Sequence, residues 1–128
     1  MNRDVVNSPG APSAIGPYSQ AVRTDTLLFC SGQIALDAAT GELVGETAPE
    51  QARRCLENLT AVCEAAGARL ADAVRTTVYM TELSAFSEVN EVYGTFFEAD
   101  PPARVAVGVA ELPRGALVEI DAVVALAG

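Results

Sequence analysis

The chain contains no histidine, no lysine and no tryptophan. Without histidine, neither a Ser-His-Asp nor a Cys-His nucleophile system can be assembled from one chain, and an imidazole-ligated metal site is excluded. Without lysine, Schiff-base chemistry through a side-chain amine is excluded as well. The three cysteines, Cys30, Cys55 and Cys63, are odd in number and lack C-x-x-C spacing, which suits reduced, packed thiols better than a disulfide framework or a zinc site. No run approaches the roughly 20 apolar residues of a membrane span. The first twenty residues include Arg3 and Asp4 but no continuous apolar stretch, so they do not resemble a secretory signal. A cytoplasmic protein without a membrane partner is expected. Catalysis, if present, must use carboxylates, arginines, hydroxyls, thiols, backbone amides and water, with no metal.

What the chain does have is 128 residues, half of them hydrophobic, enough for one domain, 1–128, with a substantial core. No repeat, low-complexity tract or linker divides it. Its 17 acidic residues against 8 arginines give a net charge of −9 and no basic stripe, which argues against a nucleic-acid partner.

The last third organises the rest. Two valine-rich runs, Arg104 to Ala110 and Leu117 to Ala125, flank Pro113-Arg114-Gly115, the punctuation of two strands in a β-hairpin. Alternation puts Val105, Val107 and Val109 on one face of the first strand and Arg104, Ala106, Gly108 and Ala110 on the other. In the second, Val118, Ile120, Ala122 and Val124 form an apolar face opposite Leu117, Glu119, Asp121 and Val123. Arg104 and Glu119 on adjacent strands suit either a structural ion pair or a site, in which the guanidinium grips a carboxylate through two hydrogen bonds.

Residues 1–13, with Pro9, Gly10 and Pro12, read as a loosely ordered lead-in. Gly16-Pro17-Tyr18-Ser19-Gln20-Ala21 then forms a turn into a strand at Val22, with Tyr18 either a rim aromatic or a site residue. Thr26 to Ile34 is a second strand that breaks at Ser31-Gly32, a pair that marks either a bulge or a close approach of backbone to ligand. Thr47 to Gly67 is a helix: Thr47 and Glu50 have capping-box spacing, Pro49 lies in the first turn, and Gly67 supplies the left-handed stop. Its stripe of Ala52, Cys55, Leu56, Leu59, Val62, Cys63 and Ala66 covers a sheet.

Asp72 to Thr81 is a strand with Val74, Thr76, Val78 and Met80 on one side. A second helix, from a Ser84 cap to about Asp100, buries Phe86, Val89, Tyr93, Phe96 and Phe97, with Asn90 at the edge of the stripe and in need of a polar partner. The order strand, strand, helix, strand, helix, strand, strand gives an α+β fold, a largely antiparallel or mixed β-sheet with two helices packed on one face. The other face, with Leu117, Val123, Ala106, Gly108 and Ala110, is too apolar for a monomer, so an oligomer is expected.

Taken together, Gly16-Pro17-Tyr18-Ser19-Gln20-Ala21, Ser31-Gly32-Gln33-Ile34, Pro49-Glu50-Gln51-Ala52, Leu56-Glu57-Asn58-Leu59, Val89-Asn90 before Tyr93, Pro102-Ala103-Arg104 and Val118-Glu119-Ile120-Asp121-Ala122 resemble the RidA (YjgF/YER057c/UK114) family across nearly the whole chain. The resemblance implies a chorismate-mutase-like homotrimer with sites between subunits. It also implies cofactor-free hydrolysis of 2-imino or enamine acids to 2-keto acids and ammonia. By the same resemblance Arg104 holds the substrate carboxylate, Glu119 positions and activates water, and Tyr18, Ser31, Asn90 and the backbone of Gly32 line the pocket. Many deaminating members read Arg-Ser-Cys where this chain has Arg104-Val105-Ala106, so the pocket thiol is missing and Ala106 offers its backbone N–H alone. Keto-acid binding without turnover, in the same pocket, is the alternative function.

Overall fold

The computed structural model describes residues 2–127. Six strands form one mixed sheet: β1 Asp4–Val6, β2 Ala21–Arg23, β3 Leu27–Gln33, β4 Ala73–Met80, β5 Ala103–Gly108 and β6 Val118–Ala125, in the spatial order β1-β2-β3-β6-β4-β5. Helices α1, Ala48–Ala65, and α2, Phe86–Phe96, both pack on one face. Under them lie the fully buried Leu28, Val78, Met80, Val118, Ile120 and Val124, so the alternation read from β6 holds. This is the expected α+β class.

The hairpin expected between the last two strands is absent. β5 runs parallel to β4, and β6 is antiparallel to both β3 and β4, so β4 separates β5 from β6. The reason is the crossover through α2: a strand that returns after a helix lies parallel beside the strand it left. β6 then takes the other side of β4. Two hydrogen bonds fix the arrangement, from Val109 N–H to the Met80 carbonyl at 2.8 Å and from Thr81 N–H to the Leu117 carbonyl at 3.2 Å.

Helix α1 starts as its sequence dictates. The Thr47 hydroxyl accepts from Glu50 N–H, and the Glu50 carboxylate accepts from Thr47 N–H at 3.1 Å. Those amide donors hold the Glu50 carboxyl below the usual carboxylate range, Glu46 N–H contributing most. The expected Ser84 cap on α2 is not formed. Leu83–Ala85 already turns as a 3₁₀ segment, which leaves Ser84 inside the turn and Ala85 at the cap position. The helix also ends early, at Phe96, and Asp100 adopts a left-handed φ of 49° just before Pro101.

Three further expectations are corrected. Residues Asp4–Val6 form an edge strand, and the segment after it is tied down by the buried Gln20 amide, which donates to the carbonyls of Ser8, Ala11 and Pro12. The lead-in is therefore ordered, through a polar residue whose partners lie in the preceding loop. In β4, Ala73 pairs with Val124 and Arg75 with Val123, so Val74 is an inserted bulge residue, 46% exposed instead of sharing the side of Thr76, Val78 and Met80.

Finally, Ala106 and Gly108 face the helix layer, Gly108 against Leu83, because Arg104 on the same side of β5 meets α2. The open face of the sheet is apolar through other residues, with Phe29 45%, Val105 39% and Val107 36% exposed alongside Val123. The strand pairings carry this face across the sheet from Val5 through Val22 and Phe29 to Val123.

All three cysteines are free and buried. Cys55 donates to the Val118 carbonyl at 3.6 Å, and its thiol is pushed up by burial. The Cys30 thiol is pushed up too, first by its hydrogen bond with Cys63 and then by burial. Thiols raised this way, Cys55 and Cys30, stay protonated and unreactive, while the same hydrogen bond lowers the Cys63 thiol. No helix among the described residues is long and apolar enough to cross a membrane.

Candidate functional site

The sequence motifs of α1 supply the frame. Gln51 and Asn58 are polar yet buried, and both use their side chains on backbone. Gln51 donates to the Gly45 carbonyl and accepts from Leu117 N–H at 2.8 Å, which fixes the entry to β6. Asn58 donates to the carbonyls of Ile34 and Leu36, which fixes the chain leaving β3. Together they hold the ends of the two strands that carry Glu119 and Ser31-Gly32.

In β3, Cys30 pairs with Ala122 and Gln33 with Ile120, so one extra residue is inserted at Ser31-Gly32. The bulge brings Gly32 against the Glu119 side chain. A Cβ at position 32 would collide with the Glu119 carboxylate and push it aside, so glycine lets Glu119 keep this position against the bulge. Glu119 is half-buried, and its carboxyl is raised above the usual range by burial and then by the charge of Asp121. Asp121 in turn accepts a hydrogen bond from the Tyr79 hydroxyl at 3.0 Å. A carboxyl held up in this way exchanges protons nearer neutrality.

Glu119 lies in a cavity of about 470 Å³ that also takes in Tyr18, Gln20, Ser31, Gly32 and Arg114. Tyr18 is exposed, and its hydroxyl accepts from Ile15 N–H at 3.3 Å. The Ser31 hydroxyl donates to the Ser19 carbonyl at 2.6 Å, and Ser31 N–H donates to the Gln20 carbonyl. The hydroxyl is therefore positioned with its lone pairs, not its proton, directed elsewhere.

Arg104 is in a different place. It stands on β5 paired with Thr76, whose hydroxyl shares a 2.6 Å hydrogen bond with Tyr93 of α2, so it points to the helix side of the sheet. Its guanidinium lies 5.1 Å from the Phe86 ring centroid and 4.8 Å from that of Tyr93. One nitrogen, Nη1, donates to Asn90 Oδ1 at 2.7 Å. Asn90 has found its partner, and Ala106 follows two residues after Arg104 on the same face of the edge strand.

Glu119 alternates with the buried Val118 and Ile120, pairs with Tyr79, and so faces the other side. Within one chain the two groups are separated by β4 and lie on opposite faces of the sheet. The Arg104 groove, about 380 Å³, is bounded by Asn90, Tyr93, Phe97 and Pro102.

The sequence reading did not foresee two features: the aromatic bracket of Arg104 and the presence of Arg114 beside Glu119. Phe86 and Tyr93 were legible as a buried stripe, but their use on a guanidinium requires β5 to dock on α2. Arg114 was legible only as turn punctuation. Among the described residues no group of three or more Cys, Asp or Glu side chains is arranged to hold a metal ion.

The family model described as Endoribonuclease L-PSP matches residues 8–126. The chain belongs to this family. Among its relatives is the protein named 2-iminobutanoate/2-iminopropanoate deaminase in Mus musculus, 46% identical over 121 residues that cover 94% of this chain and 90% of that one. The crystal structure of RidA from the Antarctic bacterium Psychrobacter superposes with a TM-score of 0.92 at 41% identity, over 96% of this chain and 99% of the other. That of E. coli TdcF with bound serine gives a TM-score of 0.91 at 38% identity, over 97% and 99%. The RidA resemblance read from the motifs is thereby established.

Proposed function

We propose that the protein is a cofactor-independent imine deaminase that hydrolyses 2-imino and enamine acids to 2-keto acids and ammonia, at sites shared between the subunits of a homotrimer. The observation that carries this reading is the division of the machinery. Among the described residues the groove of Arg104 holds no carboxylate, whereas Glu119, its carboxyl raised, stands in another cavity on the opposite side of the sheet. Arg104 stands on an edge strand, β5, where it can reach a neighbouring copy. Association through the exposed Phe29, Val105 and Val107 brings Arg104 of one subunit towards Glu119 of another and covers a face that water disfavours. The deaminase name of the mouse relative and the serine held by TdcF support a small amino-acid-like ligand.

The chemistry fits these residues. Arg104, with Nη1 occupied by Asn90, turns its remaining N–H groups on the substrate carboxylate. A protonated imine is already electrophilic, so the attacking water needs a position and a proton acceptor, and Glu119 supplies both. Water adds its oxygen to C2, its proton passes to Glu119, and the C=N π electrons move onto nitrogen. Glu119 returns that proton to nitrogen, and as the C–N bond breaks a lone pair of the hydroxyl oxygen forms the C2 carbonyl, its proton passing to Glu119 and on to the departing ammonia, so that the keto acid and ammonium are released. A net charge of −9 weighs against the RNA-cleaving activity in the family's description, because phosphate binding needs a basic surface.

The test is keto-acid release from freshly generated 2-iminobutanoate and 2-iminopropanoate, with the particle mass measured by sedimentation. Acceleration over buffer by a particle of three chains is expected. Keto-acid binding without acceleration would mark a small-carboxylate binding module, and a stable monomer would remove the shared site.

A further inference from the structure

Arg114 stands in a backbone conformation that arginine does not favour, with φ 63° and ψ 18°, between Pro113 and Gly115. The turn is closed by Ala116 N–H donating to the Pro113 carbonyl at 3.1 Å, and glycine or asparagine at position 114 would form it with less strain. Asp100 is the other non-glycine residue with positive φ among those described, and it lies outside the Glu119 cavity. Aspartate tolerates that region through its short polar side chain, whereas arginine has no such local compensation. A strained residue kept at the rim of a cavity is a reason to ask what its side chain does there.

Several arginines of this chain have a visible use. Arg23 donates to the Ala66 carbonyl, Arg54 and Arg69 pair with carboxylates, and Arg104 holds Asn90. Arg114 takes part in no hydrogen bond or ion pair between side chains among the described residues, although it lines the same cavity as Glu119. Among the described residues it is the one cation of that cavity, and Glu119 the one carboxylate. With Arg104 assigned to the carboxylate next to C2, the cavity still has an uncommitted guanidinium. A substrate with an apolar side chain gives it nothing to bind, and one with a second carboxylate does.

We infer that Arg114 is a specificity-determining residue that binds the side-chain carboxylate of acidic 2-imino acids and of the 2-keto dicarboxylic acids they yield. The substrate orientation rests on the deaminase reading above, with Arg104 taking one carboxylate and Arg114 the other. The guanidinium also offsets the repulsion that a dianionic ligand meets from Glu119. A cavity of about 470 Å³ lies within the range of small-molecule sites and accommodates a five-carbon diacid.

The experiment is calorimetric titration of 2-oxoglutarate and 2-oxobutanoate into the parent and into Arg114→Gly and Arg114→Glu. Glycine suits the left-handed turn, so the first variant keeps the fold while removing the guanidinium. The parent is expected to prefer 2-oxoglutarate, and the ratio of the two affinities is expected to fall about tenfold in Arg114→Gly, the worth of one charge-assisted hydrogen bond, and further in Arg114→Glu. An unchanged ratio would overturn the inference. So would an equal loss for both ligands, which would put Arg114 on the carboxylate they share, or a parent that binds neither. Hydrolysis of 2-iminobutanoate by the same parent preparation reads the deaminase assignment separately, since its failure leaves the affinity ratio to judge Arg114.

Discussion

Glu119→Gln is expected to slow keto-acid release from 2-iminobutanoate by about two to four powers of ten, the range of a general acid–base group. Glutamine keeps the size and one carbonyl acceptor, so the Gly32 bulge still admits it and keto-acid binding should persist. What it cannot do is take the proton from water and return it to the leaving nitrogen. Parallel measurement of 2-oxobutanoate affinity separates the two effects. Loss of binding along with turnover would mean that the substitution disrupts the pocket. Turnover at the parental rate would make Glu119 structural.

The same substitution has a signature in stability. Burial and the charge of Asp121 raise the Glu119 carboxyl in the folded chain, so folding is coupled to keeping its proton. That contribution is complete below the ordinary carboxylate range and is lost as pH rises through the raised folded value. The Gln variant has no proton to lose. Its thermal midpoint is therefore expected to gain on the parent's as pH moves from acid to neutral, and a constant difference would show that Glu119 carries no raised titration.

Arg104→Lys is expected to lose about 10- to 100-fold in kcat/KM although the charge is kept. Two geometric features set this. The guanidinium is planar and lies over Phe86 and Tyr93, a position that an ammonium does not fill in the same way. It also donates to Asn90 with one nitrogen while leaving a fork of donors free, and lysine has no fork. Parental kcat/KM in the lysine variant would rule out the two-pronged grip. Single-turnover measurements should locate the loss in substrate binding, since Arg104 takes no part in proton transfer.

Local chemistry made much of this architecture legible. The Thr47-Pro49-Glu50 start of α1, the buried face of Val118, Ile120, Ala122 and Val124, and the break at Ser31-Gly32 each follow from neighbours in the sequence, and each is found in the structure. What was misread depends on contacts distant along the chain. The Pro113-Arg114-Gly115 turn resembles a hairpin, yet strand adjacency was decided by the α2 crossover, which gave β4 the place between β5 and β6. Ser84 has the right side chain for a cap, but the 3₁₀ turn around it fixed the boundary elsewhere. Gln20 orders the lead-in through carbonyls that no hydrophobic pattern reveals.

The candidate site follows the same division. Arg104 and Glu119 stand out as polar residues in valine-rich strands, and Asn90 as a polar residue beside an aromatic stripe. Their placement on adjacent strands was wrong, and the correction gives the proposal its form. Two groups on opposite faces of one sheet serve a single substrate when separate copies of the chain supply them.

The most direct measurement of that claim mixes two impaired chains. Arg104→Ala retains Glu119, and Glu119→Gln retains Arg104. Unfolded together in equal amounts and refolded, they should assemble at random, and about one inter-subunit site in four should combine an intact Arg104 from one chain with an intact Glu119 from its neighbour. Deaminase activity of about a quarter of the parent's is the expected result, against near-background rates for each variant refolded alone. A mixture no more active than the separate variants would contradict the shared site.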